Sequence, residues 1–265
     1  MSAEGKDVTS FKADDWDHHW SEYSQTAERN PAQNYRREVI FSLLGPHHAG
    51  EGMRLLDIGS GQGDMARAVQ TRFPSAEIFG LELSRSGVEI ARRKVPTARF
   101  LQCNLLETVT LPKHFVGWAT HAICSEVIEH VDDPCALLKN ARPYMSNGCR
   151  LVLTAPGGPM SAFDKHIGHR RHWQREDIEN LLRDAEYIPE HITGVGFPFF
   201  NLYRCVIILR GEKLILDART GTSGAISPLA RAVMGLFNRL IRRRLNSSRF
   251  GWQMIGTARL PDSQF

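Results

Sequence analysis

The chain has 265 residues, 42% of them apolar and 23% charged, with a formal net charge of +4 and a pI near 8.9. That length can bury one sizeable core, the balance is ordinary for a globular protein, and mild basicity is no argument for nucleic acid. The five cysteines form no C-x-x-C pair, which removes a zinc or redox motif and points to reduced thiols in a cytoplasmic setting. The polar N-terminus has no apolar leader segment, and the richest apolar stretch, Phe197 to Leu209, is broken by Asn201 and Arg204, so no bilayer span is expected.

Taken in order, residues 1 to about 12 read as disordered. From Trp16 to Leu44 the spacing predicts helix, with Trp16, Trp20 and Tyr23 on one face, a restart at Asn30-Pro31 and an end at Gly45-Pro46. Strands are expected at Arg54–Ile58, Glu77–Glu82, Arg99–Cys103, Ala119–Cys124 and Cys149–Thr154. Helices over Asp64–Phe73, Ser86–Lys94 and Pro134–Tyr144 separate them. Asp133 before Pro134 is an N-cap arrangement. Beyond Thr154 follow a Gly/Pro loop, a helix over Gln174–Glu186, a strand over Tyr187–Val195 and an apolar helix over Phe197–Leu216. A Gly/Ser/Thr stretch, an arginine-rich helix over 228–245 and a closing strand over Gly251–Leu260 complete the chain. The expected fold class is α/β, a Rossmann-like, doubly wound, mostly parallel sheet with an N-terminal helical cap and a helical insertion before the last strand. The whole of 1–265 reads as one domain. Its parts are a cap (1–48), a cofactor-binding core (49–158) and an acceptor lid with the basic helix and closing strand (159–265).

The strongest motif is Leu55-Leu56-Asp57-Ile58-Gly59-Ser60-Gly61-Gln62-Gly63, a strand running into a glycine turn and then a helix. Glycines there let backbone approach a ligand closely. Glu82 ends the next strand, where a carboxylate can accept both hydroxyls of an adenosine ribose. The glycine spacing is G-x-G-x-G rather than the dinucleotide G-x-G-x-x-G, and Asp57 would repel a pyrophosphate while suiting a cationic amino group.

These residues resemble the class I S-adenosylmethionine methyltransferases, from about Arg54 to Thr154. Gly80-Leu81-Glu82-Leu83-Ser84 resembles their acidic-ended second strand. Gln102-Cys103-Asn104-Leu105 resembles the segment that touches adenine, with Asn104 where an aspartate is usual. Cys124-Ser125-Glu126-Val127-Ile128-Glu129-His130-Val131 resembles the motif after strand four. The nearest likeness is to the ubiquinone/menaquinone branch acting on small molecules. The resemblance implies S-adenosylmethionine as cofactor, with Asp57, Gly59, Ser60, Gly61, Gly63, Glu82, Leu83, Asn104, Leu105 and Ser125 as its binding residues.

The next concentration of chemistry is Asp164 to Trp173, just past the fifth strand. It resembles a Gly-His-x-Arg-aromatic segment of many bacterial methyltransferases and should overhang the transferable methyl. His166, Arg171, His172 and Trp173 are the candidate substrate contacts there, Arg171 for an acceptor carboxylate or phosphate. A hydroxyl acceptor must lose its proton, and histidine is the natural base; His169 is the first candidate and His130 the second. His169 could equally hold the loop closed by a hydrogen bond. His166, His169 and His172 recur every third residue, but Gly168 argues against a regular helix and no fourth ligand is in view, so no metal is expected. Arg170 reads as a solvated charge bridging to Glu176 or Asp177.

Trp16, Trp20, Tyr23 and Tyr35 are expected as a lid, or else as core anchors. The 228–245 helix pairs Arg239, Arg242, Arg243 and Arg244 with an apolar stripe, which fits contact with an anionic membrane or plain packing on the domain. The expected reaction is O-methylation of a small-molecule or lipid-linked acceptor with a histidine general base. N- or C-methylation and a non-catalytic cofactor-binding scaffold are the alternatives. No nucleic-acid partner is expected, the location is cytoplasmic or peripheral to the membrane, and nothing bears on oligomeric state.

Overall fold

Leu55 and Leu56 are adjacent, fully buried, and belong to different cores. Successive side chains of a strand point to opposite faces, so a strand this apolar must be covered on both. The computed structural model describes residues 16–17, 31–44, 52–107, 112–219, 235 and 248–262, and in it seven strands form a single sheet. The strands are β1 (Arg54–Ile58), β2 (Glu77–Glu82), β3 (Arg99–Gln102), β4 (Ala119–Ser125), β5 (Met145–Pro156), β6 (Ile188–Val195) and β7 (Gln253–Arg259). Their order is β3-β2-β1-β4-β5-β7-β6. β1 to β5 run parallel, and β7 is antiparallel to both of its neighbours.

Helix α1 (Pro31–Leu44), α2 (Asp64–Arg72) and α3 (Arg85–Lys94) pack one face through Ile40, Leu44, Val69, Val88 and Ala91, against Leu55, Ile78 and Ile123. On the other face, α4 (Pro134–Ala141) and α6 (Arg175–Asp184) bring Leu137, Leu138, Ile178 and Leu182 onto Leu56, Leu81 and Leu153. Asp133 caps α4 by accepting the Ala136 N–H at 2.9 Å, as its place before Pro134 predicted. The short α5 (Ala162–His166) was not foreseen. Ser161 and Asp164 build a capping box for it, and Gly168 at φ 89 lies beyond its end. The apolar helix after β6 is α7 (Phe199–Arg219), broken by non-helical geometry at Gly211. Trp20, Tyr23, the Gly/Ser/Thr stretch and the arginine-rich 228–245 segment lie outside the described residues. Among those residues no helix is long and apolar enough to cross a membrane.

The order reverses between β1 and β4, because β2 lies to one side of β1 and β5 to the far side of β4. Ligands of open α/β sheets bind in the crevice that such a switch leaves at the carboxyl ends of the strands. Asp57 and Ser125 stand at those two ends. Gly80 keeps the neighbouring floor thin, since a Cβ there would lie 2.5 Å from the Phe100 ring and 2.7 Å from Ser60 Oγ. Gly80→Ala should therefore destabilise the fold by about 1–3 kcal/mol, the usual range for overpacking. The check is the denaturant midpoint at unchanged slope; an unshifted midpoint would show that the floor yields.

Candidate active site

Two cavities open over the switch point. One, of about 300 Å³, is walled by Asp57, Gly59, Gly61 and Ser125 on the sheet side and by His169, Tyr203, Arg204 and Trp252 opposite. The other, of about 100 Å³, lies over β2 and β3 with Glu82, Leu83, Cys103, Asn104 and Leu105 in its wall. Trp16, Gly59, Glu126 and His130 line both.

The glycine turn is held to β2. Gly59 N–H and Ser60 N–H both donate to the Leu81 carbonyl, and Gly61 N–H donates to Glu82 Oε2 at 2.7 Å. Glu82 Oε1 accepts the Ser84 N–H at 2.9 Å. A carboxylate has about four lone-pair directions, so these bonds leave it able to accept more. Burial pushes the Glu82 carboxyl up, while the Ser84 and Gly61 N–H groups pull it back. Gly59 and Gly63 are glycines for packing as much as for a ligand. A Cβ on Gly59 would meet Val127 at 2.5 Å, and one on Gly63 would meet Ala91 at 2.9 Å. Gly63 lines neither cavity.

Asp57 is 2% exposed, and its Oδ2 has no hydrogen-bond partner. Burial, then the Glu82 charge, pushes its carboxyl up to about 7. A buried carboxyl with an orphaned oxygen facing a cavity is the environment that an incoming ammonium relieves. Arg36 of α1 reaches the same cavity and can meet a carboxylate. The wall thus carries groups of both signs, with the Glu82 carboxyl and the small apolar slot of Leu83 and Leu105 beyond. Asn104 spends Oδ1 on the Leu106 N–H and Nδ2 on Glu107, so it is committed mainly to its own turn.

Between the cavities stands Glu126, at φ 57 in the left-handed region. Its Oε1 accepts Gln253 Nε2 at 2.9 Å and the Thr154 hydroxyl at 3.1 Å, and Arg36 lies 3.3 Å from Oε2. The Thr154 proton being given to Glu126, the Ser125 hydroxyl must donate to Thr154 across 2.9 Å. Beside it, Glu129 is fully buried with both carboxyl oxygens unbonded, and burial followed by the Glu126 charge pushes it well up.

The rings of Trp16, His130 and His169 meet edge to face in series, each centroid 4.7 Å from the next. His169 is held low, to about 2, by burial and by His130, although Asp164 opposes them. It is therefore a neutral imidazole. Asp164 is 1% exposed and binds Arg204 through both oxygens, at 3.0 and 2.7 Å. Burial raises the Asp164 carboxyl, but Arg204 and Ser161 outweigh it and hold it at about 2. Ligand-type atoms of Glu129, His130 and His169, and of Asp164, His169 and His172, converge within 4.8 Å. His166 belongs to neither group, so the every-third-residue histidines do not form one site.

Three expectations for this segment need correction. Trp173 is 3% exposed and packed in the core with Ile178 rather than facing an acceptor. Arg171 lies over the Trp173 ring at 4.0 Å and lines neither cavity. Arg170 pairs with Asp132, not Glu176 or Asp177. His166 is likewise outside both walls, and His172 sits behind His169. Of the aromatic lid, Trp16 lines both cavities, while Tyr35 is 1% exposed and packs on Phe200. Sequence reasoning missed Arg36, Arg204, Tyr203, Trp252 and Gln253. Arg204, Trp252, Gln253 and Arg36 have partners 40 to 217 positions away, and no local motif announces them.

Fold and site together fit a class of protein, a nucleoside-cofactor enzyme of the Rossmann-like kind, with two cavities at the switch point. A methyltransferase domain family matches residues 26–191, and the chain belongs to that family, whose methyl donor is S-adenosylmethionine. It is 31% identical over 163 residues to an uncharacterized 37.1 kDa protein in transposon TN4556 of Streptomyces fradiae, covering 61% of this chain and 46% of that one. The chain thus spans about half the length of that relative. It is 33% identical over 153 residues to a demethylmenaquinone methyltransferase of Thermus thermophilus, covering 55% of this chain and 68% of that one. A ubiquinone biosynthesis O-methyltransferase of Nitrosomonas europaea is 25% identical over 208 residues, covering 70% and 85%. Among solved structures, geranyl diphosphate C-methyltransferase from Streptomyces coelicolor superposes with a TM-score of 0.54 at 18% identity, over 86% of this chain and 77% of that one.

If the methionine ammonium seats on Asp57, binding must lower a carboxyl that starts near 7. A group whose pKa falls on binding releases a proton, so affinity should rise with pH until about 7 and then level off. Calorimetry at pH 6.5 in buffers of different ionisation heat should show net proton release in the wild type and none in Asp57→Asn. Equal release in both would remove Asp57 from the ammonium site.

Proposed function

We propose that this chain transfers a methyl group from S-adenosylmethionine to a hydroxyl of a small, largely apolar acceptor, with His169 taking the proton. The observation that carries this reading is the neutral His169 imidazole in the acceptor cavity, opposite Asp57 and Gly61 across the switch point. In this reading Asp57, Gly59, Ser60 and Gly61 seat the methionine end, Glu82 the ribose, and Leu83, Asn104 and Leu105 the adenine. Arg36 meets the carboxylate.

The cofactor supplies an electrophilic methyl on sulfur and a neutral thioether leaving group. With that donor bound, the acceptor O–H would give its proton to His169 Nε2 while the methyl passed from sulfur to oxygen, leaving a methyl ether, S-adenosylhomocysteine and a protonated His169. An imidazole held so low is a weak base, which favours an acidic hydroxyl such as a phenol, near 10, over an alkyl alcohol. Phe163, Phe200, Tyr203 and Trp252 give the acceptor cavity a wall that suits a planar ring. His130, at the junction with the cofactor cavity, orients rather than accepts in this reading. Trp16 closes the site from above, and Asp17 clamps it there by accepting the Ser84 hydroxyl at 2.6 Å and the Ser86 N–H at 2.9 Å.

His169→Ala should lower kcat by about 10²–10⁴ with cofactor affinity retained. The test is turnover on a panel of phenols beside binding of S-adenosylmethionine. Undiminished turnover, or product methylated only at nitrogen or carbon, would overturn the oxygen assignment. Cofactor binding with no turnover of any acceptor would favour the scaffold alternative.

A lipid-linked acceptor at an anionic membrane is the second reading. Helix α7 turns Phe200, Tyr203, Arg204 and Ile207 to the acceptor cavity, and Leu202, Val206 and Leu209 to solvent. A helix apolar on opposite faces suits a lipid boundary. From Thr220 to Phe250 the chain carries six arginines and no acidic residue. The protein should float with anionic vesicles and not with neutral ones, and Leu209→Glu should weaken that. Equal recovery from both vesicle types would remove the membrane from this reading.

A further inference from the structure

A carbonyl oxygen can only accept, and this fixes the first proton in a row of three groups. His172 Nδ1 lies 2.9 Å from the Gly158 carbonyl oxygen, and His172 Nε2 lies 3.3 Å from His169 Nδ1. The first contact requires the proton of His172 to sit on Nδ1. With that single proton on His172, Nε2 keeps a lone pair and a hydrogen bond to it must come from His169 Nδ1–H, whereas a second proton on His172 would sit on Nε2 and reverse the bond. His169, itself neutral, is left with its lone pair on Nε2.

We infer that His172 is a positioning residue, which reads the Gly158 carbonyl and sets the His169 tautomer so that Nε2 is the proton-accepting atom of the acceptor cavity. Free imidazoles do not choose this tautomer by themselves; it is set by what the other nitrogen bonds to. One alternative partner is already engaged. Asp164 Oδ2, 3.7 Å from His172 Nε2, is taken by Arg204 Nη2 at 2.7 Å, by the Ser161 N–H at 2.7 Å and by the Ser161 hydroxyl at 2.8 Å. The remaining polar neighbours of His169 are Arg204, His130, edge-on, and the buried Glu129 carboxyl, which has an oxygen within 4.8 Å of a His169 ring nitrogen but no hydrogen bond to it.

The carbonyl that starts the relay is itself fixed. Gly158 adopts φ 68, and a Cβ there would lie 2.6 Å from the Trp252 ring, so only glycine brings this peptide so close to the start of β7. The adjacent Gly157 N–H donates to the Trp252 carbonyl at 2.8 Å, and the Trp173 N–H donates to the Pro156 carbonyl at 2.8 Å. The catalytic use of the tautomer rests on His169 being the proton acceptor; the tautomer itself does not.

The experiment is a long-range proton–nitrogen correlation spectrum of the histidine-labelled protein, with His169 assigned by its loss in His169→Gln. The wild type should show His169 protonated at Nδ1. His172→Phe keeps a ring but offers no acceptor, and should move His169 largely to the Nε2–H form. His172→Gln places an amide oxygen near Nε2 and should keep the Nδ1–H form. An Nε2–H wild type, or a tautomer unchanged in a folded His172→Phe, overturns the inference. Turnover is read separately. His172→Phe should lose at least about tenfold in kcat with the KM for S-adenosylmethionine unchanged, and His172→Gln should recover most of it. A tautomer that shifts without any change in turnover would sustain the relay and sink the proton-acceptor role of His169.

Discussion

Glu126 is the knot on which the site depends. A non-glycine residue at φ 57 costs of order 1–3 kcal/mol, and it persists only where neighbours over-determine it. Here α1, β5 and β7 each send a group to its carboxylate, as Arg36, Thr154 and Gln253. The same reversal of backbone at the end of β4 carries the chain away from the sheet, so that Val127, Glu129 and His130 can turn back over the glycine turn. Remove the carboxylate and three elements lose their common partner, at the point where the two cavities join.

Around that knot the site concentrates buried acid. Asp57, Glu82 and Glu129 are all at most 7% exposed, and burial raises each of them. Uncompensated, such carboxyls are a liability to folding. S-adenosylmethionine carries a sulfonium and an ammonium, charges of the sign that such carboxyls lack. On the acceptor side the logic inverts. Asp164 is fully satisfied by Arg204 and Ser161, and the imidazole beside it stays neutral. One wall holds buried acid with unbonded oxygens, and the other holds a satisfied carboxylate beside a neutral imidazole.

Much of the sheet was legible because both-face burial leaves an unmistakable trace. The runs at Arg54–Ile58 and Glu77–Glu82 are short, apolar and bounded by turn residues, and both strands fall on those spans. The third and fourth strands differ from expectation by one residue at an end, and β5 begins earlier, at Met145, because its first part pairs alone with the start of β4 across a bulge. The grouping of Asp57, the glycine turn and Glu82 was legible for a related reason: these residues lie within the strands and turns that define the fold. The grouping on the opposite wall was not. Arg204 meets Asp164 across 40 positions and Gln253 meets Glu126 across 127, and nothing local in either segment marks its partner. Trp173 and Arg171 look like ligand contacts in a motif read flat. In three dimensions the ring is core and the guanidinium is its cover.

The placing of β7 has a consequence for how the protein is made. β6 is joined to the sheet only through β7, which enters between it and β5. A ribosome adding about 5–20 residues each second needs on the order of 3–12 s to travel from the end of β6 to the start of β7. During that interval β1 to β5 can pair and bury their faces, while β6 has no neighbour and the β5 edge stands open. Gln253 and Trp252 arrive with the strand that closes the gap, so the acceptor wall and the last grip on Glu126 are assembled together. A nascent chain can therefore own a finished cofactor floor for several seconds before it owns a reaction chamber.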